Sequence, residues 1–233
     1  SAAFLFHARP ERSVINDSNQ ELIEALRALK SQPAQLHAAV SAVPRGEDQY
    51  YAMRAQDPAK LTSFERAARF LYLNRNCFNG IYRVNQRGQF NVPFAHSKAG
   101  GVPPLEDWLQ ASVILQGAQI HCGDFEAFCL SEVLPGDFVY LDPPYAVSNR
   151  RVFSQYGLNS FGLSDMERLA SVLEEIDSRG AKFLVSYAYS PESRALASRW
   201  DVRRTRAQRN VAGFREHRRN AVEVLISNVT PQD

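Results

Sequence analysis

The chain has 233 residues, 45% apolar and 22% charged, with a formal net charge of +2; this is an ordinary globular composition with room for one large domain or a domain carrying an insertion. No apolar run approaches the ~20 residues that cross a bilayer, and the opening SAAFLFHARPERSV has no basic region ahead of its apolar patch, so neither a membrane span nor a signal peptide is expected. Cys77, Cys122 and Cys129 are widely spaced with no C-x-x-C pair, which predicts free thiols in a reducing compartment, and the scattered histidines show no metal spacing.

In chain order, RSVIND reads as a short strand ending at Asn16 and Asp17, and NDSNQELIEALRALK opens with capping residues and carries Leu22, Ile23, Leu26 and Leu29 at helical spacing. From about residue 31 to 104 the pattern changes. Helical stretches such as LTSFERAARFLYLN precede a Gly-, Asn- and Pro-rich segment that closes with NVPFAHSKAGGVPP. After Leu105 an alternation of elements resumes. LEDWLQASVILQ is predicted as helix, AQIHCGDF as strand and loop, and FVYLDPPY as strand. LSDMERLASVLEEIDSRG follows as a helix opened by Ser164, then AKFLVSYA and AVEVLISN as strands.

Strands alternating with helices predict an α/β fold with a mostly parallel sheet, in which ligands gather beyond the carboxyl ends of the strands. Asp17, Asp124, Asp142 and Ser186 are all expected at such ends. The break in the alternation makes residues 31–104 an insertion into a discontinuous domain of residues 1–30 and 105–233.

Charge is unevenly distributed. Between Arg66 and Lys98 there are six Lys or Arg and no acid, and between Arg199 and Arg219 eight Arg against Asp201 and Glu216. A single basic run is often just solvated surface. Two runs, one laced with Phe78, Tyr82 and Phe90, favour a polyanionic partner.

The strand FVYL stops at Asp142, Pro143, Pro144 and Tyr145. Asp-Pro opens turns and Pro-Pro ends strands, so a purely local role is available. A chemical role accounts for all four residues together. The Asp142 carboxylate and the Pro143 carbonyl can accept the two hydrogens of an exocyclic amine, and the prolines fix both acceptors in place. Tyr145 offers a face on which a planar base stacks, worth ~1–3 kcal/mol. Two acceptors favour a pyramidal nitrogen and stabilise the positive charge that grows as the amine attacks an electrophile such as a sulfonium methyl.

The order of these motifs resembles the Dam-type (D12 class) DNA adenine methyltransferases. The resemblance is carried by Asn16-Asp17, LNRNCFNGIYRVNQRGQFNVPF (73–94), Gly123-Asp124-Phe125 and Asp142 to Tyr145, and it spans nearly the whole chain. It implies a Rossmann-like class I methyltransferase fold with an inserted, mainly helical DNA-recognition domain that contains a hairpin. It also implies S-adenosylmethionine as cofactor and double-stranded DNA as partner, in a cytoplasmic, nucleoid-associated setting of prokaryotic or phage type. Asp17 corresponds to the acid that binds the cofactor ribose. Asp124 and Phe125 correspond to residues at the cofactor adenine, and Asp142, Pro143, Pro144 and Tyr145 to the target-base site, with Asp142 also near the cofactor.

A target adenine inside a duplex must be flipped out. The resemblance assigns Phe78 as a wedge, Asn79 as a contact to the orphaned partner base, and Arg83 as the reader of a guanine edge. Asn76, Gly80, Ile81, Asn91 and Pro93 belong to the same surface. Arg75, Arg87, Lys98, Arg209 and Arg215 are expected at phosphates, and Ser160 with Phe161 at the adenine pocket. GATC is the first expectation for the recognition sequence.

The Lys-containing segment and F-x-G-x-G turn with which the family opens have no counterpart in these residues. Three readings of this stay open: residues of the same protein ahead of SAAFLF, a truncated chain, or a second chain that supplies the segment; only a chain that truly begins at SAAFLF is expected to bind cofactor weakly and to be less stable. Two other readings stay open at this point: a DNA-binding module without activity, and methylation of cytosine or of a base in RNA.

Overall fold

The structure, a computed structural model, describes residues 2–96, 101–144, 161–208 and 220–229. The chain divides into two compact units, residues 1–84 with 89–125, and residues 85–88 with 126–233.

In the first unit, helix α1 (Ala3–Ala8) leads into strand β1 (Ser13–Asp17), which pairs in parallel with β2 (Ala118–Cys122) so that Asp17 lies opposite Cys122. Gly117 is required just before β2: a Cβ there would sit 2.3 Å from the Glu11 carbonyl oxygen. The outer edge of β2 is closed by two cations, Arg27 donating to the Ile120 carbonyl and Lys30 to the Ala118 carbonyl, each at 2.7 Å. Charged side chains over a free edge discourage pairing with a foreign strand.

Helix α2 (Gln20–Ser31) starts where the Asn19 side chain accepts the Leu22 N–H at 3.3 Å. Its apolar residues serve two cores. Ile23 and Leu26 pack with Leu5, Leu115 and Ala118 around the strands. Ala25 and Ala28 join Leu36, Val40, Tyr50, Phe70, Tyr72 and Trp108, the core of helices α3 (Pro33–Ser41), α4 (Glu47–Ala55), α5 (Ser63–Asn76) and α6 (Leu105–Gln116). Helix α5 opens with a reciprocal cap, in which the Thr62 hydroxyl accepts the Glu65 N–H and the Glu65 carboxylate accepts the Thr62 N–H. After α5 the chain turns back on itself, with antiparallel bridges Cys77–Phe94 and Val84–Phe90.

The second unit carries a four-stranded sheet in the order β3 (Phe138–Leu141), β4 (Lys182–Ala188), β6 (Asn220–Ser227), β5 (Asp201–Gln208). Helix α7 (Phe125–Glu132) starts at the boundary between the units. Helix α8 (Leu163–Ser178) buries Met166, Leu169, Val172, Leu173 and Ile176, a stripe at helical spacing. Strand β4 alternates as a strand must, with Phe183, Val185 and Tyr187 buried, Leu184 and Ser186 half-buried. A short helix α9 (Pro191–Leu196) leads to β5.

Three expectations are corrected. The sheet is not mostly parallel: β1–β2 and β3–β4 are parallel, but β4–β6 and β5–β6 are antiparallel. Residues 201–208 of the arginine-rich run form β5, paired antiparallel along its whole length with β6, which itself runs antiparallel to β4. Helix α8 is capped at Gly162, whose N–H donates to the Asp165 carboxylate at 2.9 Å, not at Ser164. Ser186 lies inside β4 rather than at its end.

Candidate active site

On the first unit, the carboxyl ends of β1 and β2 are tied together. The Asn16 side-chain amide donates to the Gly123 carbonyl at 3.1 Å, and the Gly123 N–H donates to the Asp17 carbonyl at 3.2 Å. Asp17 Oδ1 accepts the Asn19 N–H at 2.8 Å. Asp17 is thus held at the end of its strand by the turn that opens α2, with one carboxylate oxygen in use. Beside it, Asn16 Oδ1 is buried with no hydrogen-bond partner among the described residues. A buried acceptor without a donor costs about 1–3 kcal/mol, so its presence at a strand end points to a ligand that donates. Asp124 is exposed and Phe125 half-buried, immediately beyond β2. Asp17 and Asn16 thus present acceptors at the carboxyl end of β1.

On the second unit, Asp142 follows the last residue of β3 and is exposed, with Pro143 and Pro144 behind it. Desolvation pushes the Asp142 carboxyl above the ordinary aspartate range, and the nearby Glu223 carboxylate on β6 pushes the same way. Tyr140 is raised too, by burial first and then by Asp142, while Ser186 hydrogen-bonds its phenol. An exposed carboxylate at a strand end, with its backbone restricted by the prolines that follow, can accept a hydrogen bond from a ligand. Phe161 is half-buried ahead of α8; Tyr145, Ser160, Lys98, Arg209 and Arg215 lie outside the described residues.

Residues 73–84 and 89–94 form a distinct surface on the first unit. Asn79 (φ 56°) and Gly80 (φ 64°) are both left-handed, and the Ile81 N–H closes the turn onto the Phe78 carbonyl at 3.5 Å. Asn-Gly is the sequence that tolerates this turn. It is held from α5 by the Asn74 side chain, which donates to the Gly80 carbonyl at 2.8 Å, and from the returning strand by the Phe78 N–H, which donates to the Pro93 carbonyl at 2.9 Å. Phe78 stays 38% exposed at the tip, an uncommon place for a phenylalanine without a partner, whereas Ile81 packs against the helical core.

Arg83 is oriented by Asn91, whose Oδ1 accepts its Nε hydrogen at 2.7 Å. Arg75 and Pro93 are exposed. Asn76 is not: it is buried, and its side chain donates to the Tyr72 carbonyl at 2.8 Å. The six-cation run also shrinks on folding. Arg66 is paired with Glu24 at 2.7 Å and Arg69 with Glu21 at 2.9 Å, so both are committed inside the helical core. In β5, Arg204 lies over the Tyr189 ring at 4.6 Å, and Arg199 pairs with Glu174.

All three cysteines are free, as the spacing predicted, and burial pushes the Cys77 thiol up to about 11. Among the described residues no cluster of His, Cys, Asp and Glu could hold a metal, and no helix is long and apolar enough to cross a membrane. Sequence reasoning passed over Asn74, Glu21 and Arg69. The partners of Glu21 and Arg69 lie far along the chain; Asn74 had a local cue, an asparagine six residues before Gly80 of the Asn-Gly turn.

Acceptors at strand ends in each unit, with an exposed aromatic turn and an oriented arginine on the first, suit an enzyme that modifies a base in nucleic acid. Comparison with known proteins makes this specific: residues 1–211 match the family model of the D12 class N6 adenine-specific DNA methyltransferases, and the chain belongs to that family. It is similar to the Type II methyltransferase M1.LlaDCHI of Lactococcus lactis subsp. cremoris, with 33% identity covering 97% of this chain and 82% of that protein. It is also similar to the DNA adenine methylase of Vibrio cholerae, with 32% identity covering 95% and 81% of the two chains. A third relative, the DNA N-6-adenine-methyltransferase of Escherichia phage P1, is 32% identical over 83% of this chain but only 26% of its own length. The activity that follows from membership is methylation of adenine N6 in DNA.

Proposed function

We propose that the protein methylates the N6 amine of an adenine flipped out of duplex DNA, with S-adenosylmethionine as donor and GATC as the target sequence. The observation that carries this reading is the Asp142 strand end: a carboxylate exposed immediately beyond β3, on a backbone made rigid by two prolines, with its pKa raised by partial desolvation and by the charge of Glu223. An amine is a donor that suits such a site. Asp142 accepts one amine hydrogen and the Pro143 carbonyl the other, which frees the nitrogen lone pair and stabilises charge on it during attack. Pro144 keeps the pair in register, and Tyr145 is the stacking surface for the flipped base.

Bound S-adenosylmethionine would supply an electrophilic sulfonium methyl. Asp17 and Asn16 offer acceptors to its hydroxyl groups, and Asp124 with Phe125 contributes to the adenine end. Within this reading residues 31–104 recognise DNA, and residues 1–30 with 105–233 form the catalytic part. Phe78 enters the stack, Asn79 meets the orphaned partner base, and Arg83 reads a guanine through its major-groove edge. Arg75, Lys98, Arg209 and Arg215 meet phosphates. A cytoplasmic, nucleoid-associated location goes with this substrate.

The test uses labelled S-adenosylmethionine and two duplexes differing only as GATC and GTTC. Label incorporated into the first alone supports the reading. Label in both duplexes removes GATC as the target, and label appearing on cytosine or in an RNA control removes adenine as the acceptor.

A further inference from the structure

Glu21 stands in the first turn of α2, four residues after Asp17, and two hydrogen bonds leave its carboxylate for distant parts of the first unit. Oε2 accepts the Tyr82 hydroxyl at 3.1 Å, and Oε1 accepts from Arg69 at 2.9 Å. Tyr82 is the residue before Arg83. Its ring packs between Phe70 on α5 and Phe90 on the returning strand, at centroid distances of 5.6 and 5.7 Å. Tyr82 is 38% exposed, yet its ring lies against Phe70 and Phe90 and its hydroxyl on Glu21, while Arg83 turns toward Asn91.

The second connection reaches the other strand of the same hairpin. Arg69, only 2% exposed, also donates to the carbonyls of Met53 and Arg54 at 3.0 and 3.1 Å. Arg54 in turn donates to the Val92 carbonyl at 3.0 Å, next to Asn91. Both strands that hold the Arg83–Asn91 pair therefore hang from one carboxylate. That carboxylate is rigidly linked to Asp17 through the Asn19 turn and cap.

We infer that Glu21 is a positioning residue that couples occupancy of the cofactor site to the placement of the Arg83–Asn91 pair, with the Tyr82 hydroxyl as the transmitting contact. The inference rests on the proposed cofactor role of Asp17. A ligand that fixes Asp17 fixes the start of α2, and through Glu21 it narrows the positions open to the hairpin. By linkage the effect is reciprocal: DNA that orders the hairpin tightens the cofactor, by the same factor.

The experiment measures the dissociation constant of a target duplex by fluorescence anisotropy, with and without saturating S-adenosylhomocysteine, for the full protein and for Tyr82→Phe. The phenylalanine keeps the ring between Phe70 and Phe90 and removes only the hydroxyl. The wild type is expected to bind the duplex ~5–150-fold more tightly with the cofactor product present. In Tyr82→Phe that ratio is expected to fall toward one, with the unfolding temperature and the S-adenosylhomocysteine affinity in the absence of DNA close to wild type. Glu21→Gln, if it folds, gives the same loss of ratio.

A wild-type ratio retained in Tyr82→Phe would overturn the inference, and so would a wild-type ratio of one with both ligands bound. Failure of the wild type to bind S-adenosylhomocysteine at all would instead strike the cofactor reading itself, and the coupling with it.

Discussion

Asn91 accepts the Nε hydrogen of Arg83 at 2.7 Å, and its own backbone carbonyl lies 3.4 Å from one terminal guanidinium nitrogen. The arginine fork is thereby aimed before any partner arrives. Less rotamer freedom is then lost on binding, which is where a pre-oriented arginine gains over a flexible one. Under the proposed function, Arg83→Ala should reduce discrimination at a guanine flanking the target by ~1–3 kcal/mol. Asn91→Ala should act in the same direction but more weakly, because the guanidinium remains and only its aim is lost. Competition binding with single-base variants of the duplex distinguishes the two.

Asp142→Ala should lower methyl transfer by roughly 10²-fold or more, the scale expected for removing one preorganised electrostatic contact, while DNA affinity stays near wild type. The carboxyl must be ionised to accept the amine hydrogen. Because desolvation and Glu223 raise its pKa, the acid limb of the rate profile should lie above the ordinary aspartate range of about 3.9. Glu223→Gln should move that limb to lower pH.

The same shift has a stability consequence of definite sign. The folded protein holds the Asp142 proton more tightly than the unfolded chain does. The associated stabilisation is complete below the unfolded pKa and is lost as pH rises through the raised folded pKa. Asp142→Asn should therefore melt at a higher temperature than wild type at neutral pH, with the advantage vanishing near pH 4 and below. Thermal scans across pH measure it.

Glu24 behaves oppositely. The Arg66 hydrogen bonds hold its carboxyl below the usual glutamate range, so its contribution is present above about pH 4.3 and is lost as pH falls through the depressed folded value. Glu24→Gln should cost roughly 1.5–3 kcal/mol at neutral pH, since Arg66 keeps its bonds to the Pro58 and Leu61 carbonyls but loses the carboxylate. Urea unfolding from pH 7 downward should show the gap start to close near pH 4 and close further as pH falls through the depressed folded value.

Gly80 has φ 64° with no atom nearer than 3.7 Å to the place a Cβ would take, so Gly80→Ala tests backbone conformation alone. It should cost about 1–2 kcal/mol of stability and weaken DNA binding by displacing Phe78. Asn79→Gly relaxes the same left-handed turn without strain. It should leave stability near wild type while still removing the side chain proposed to meet the orphaned base.

How much of this was legible beforehand varies with the range of the interaction. The alternation of apolar residues placed α2, α5, α6, α8 and strands β1, β2, β3, β4 and β6, because each pattern is set by neighbours within a few residues. The Asn79-Gly80 turn was legible for the same reason: its left-handed backbone is a local steric matter. β5 was not, since an arginine-rich stretch becomes a strand only when β6 offers it a complete ladder of hydrogen-bond partners. Nor was the neutralisation of Arg66 and Arg69 visible, because their acids lie 42 and 48 residues away in the chain.

By itself the sequence determined the chemistry available: an acid and two prolines ending a strand, and an aromatic turn in a basic segment. Tertiary structure alone decided which charges remain for a partner and which are spent on the core. It also decided that Asn76 is packing while Phe78 is exposed, and that Glu21 holds both strands of one hairpin. The reason is physical: steric and hydrogen-bonding preferences of the backbone act over a turn or two, whereas desolvation and ion pairing depend on whatever the fold brings within a few ångströms.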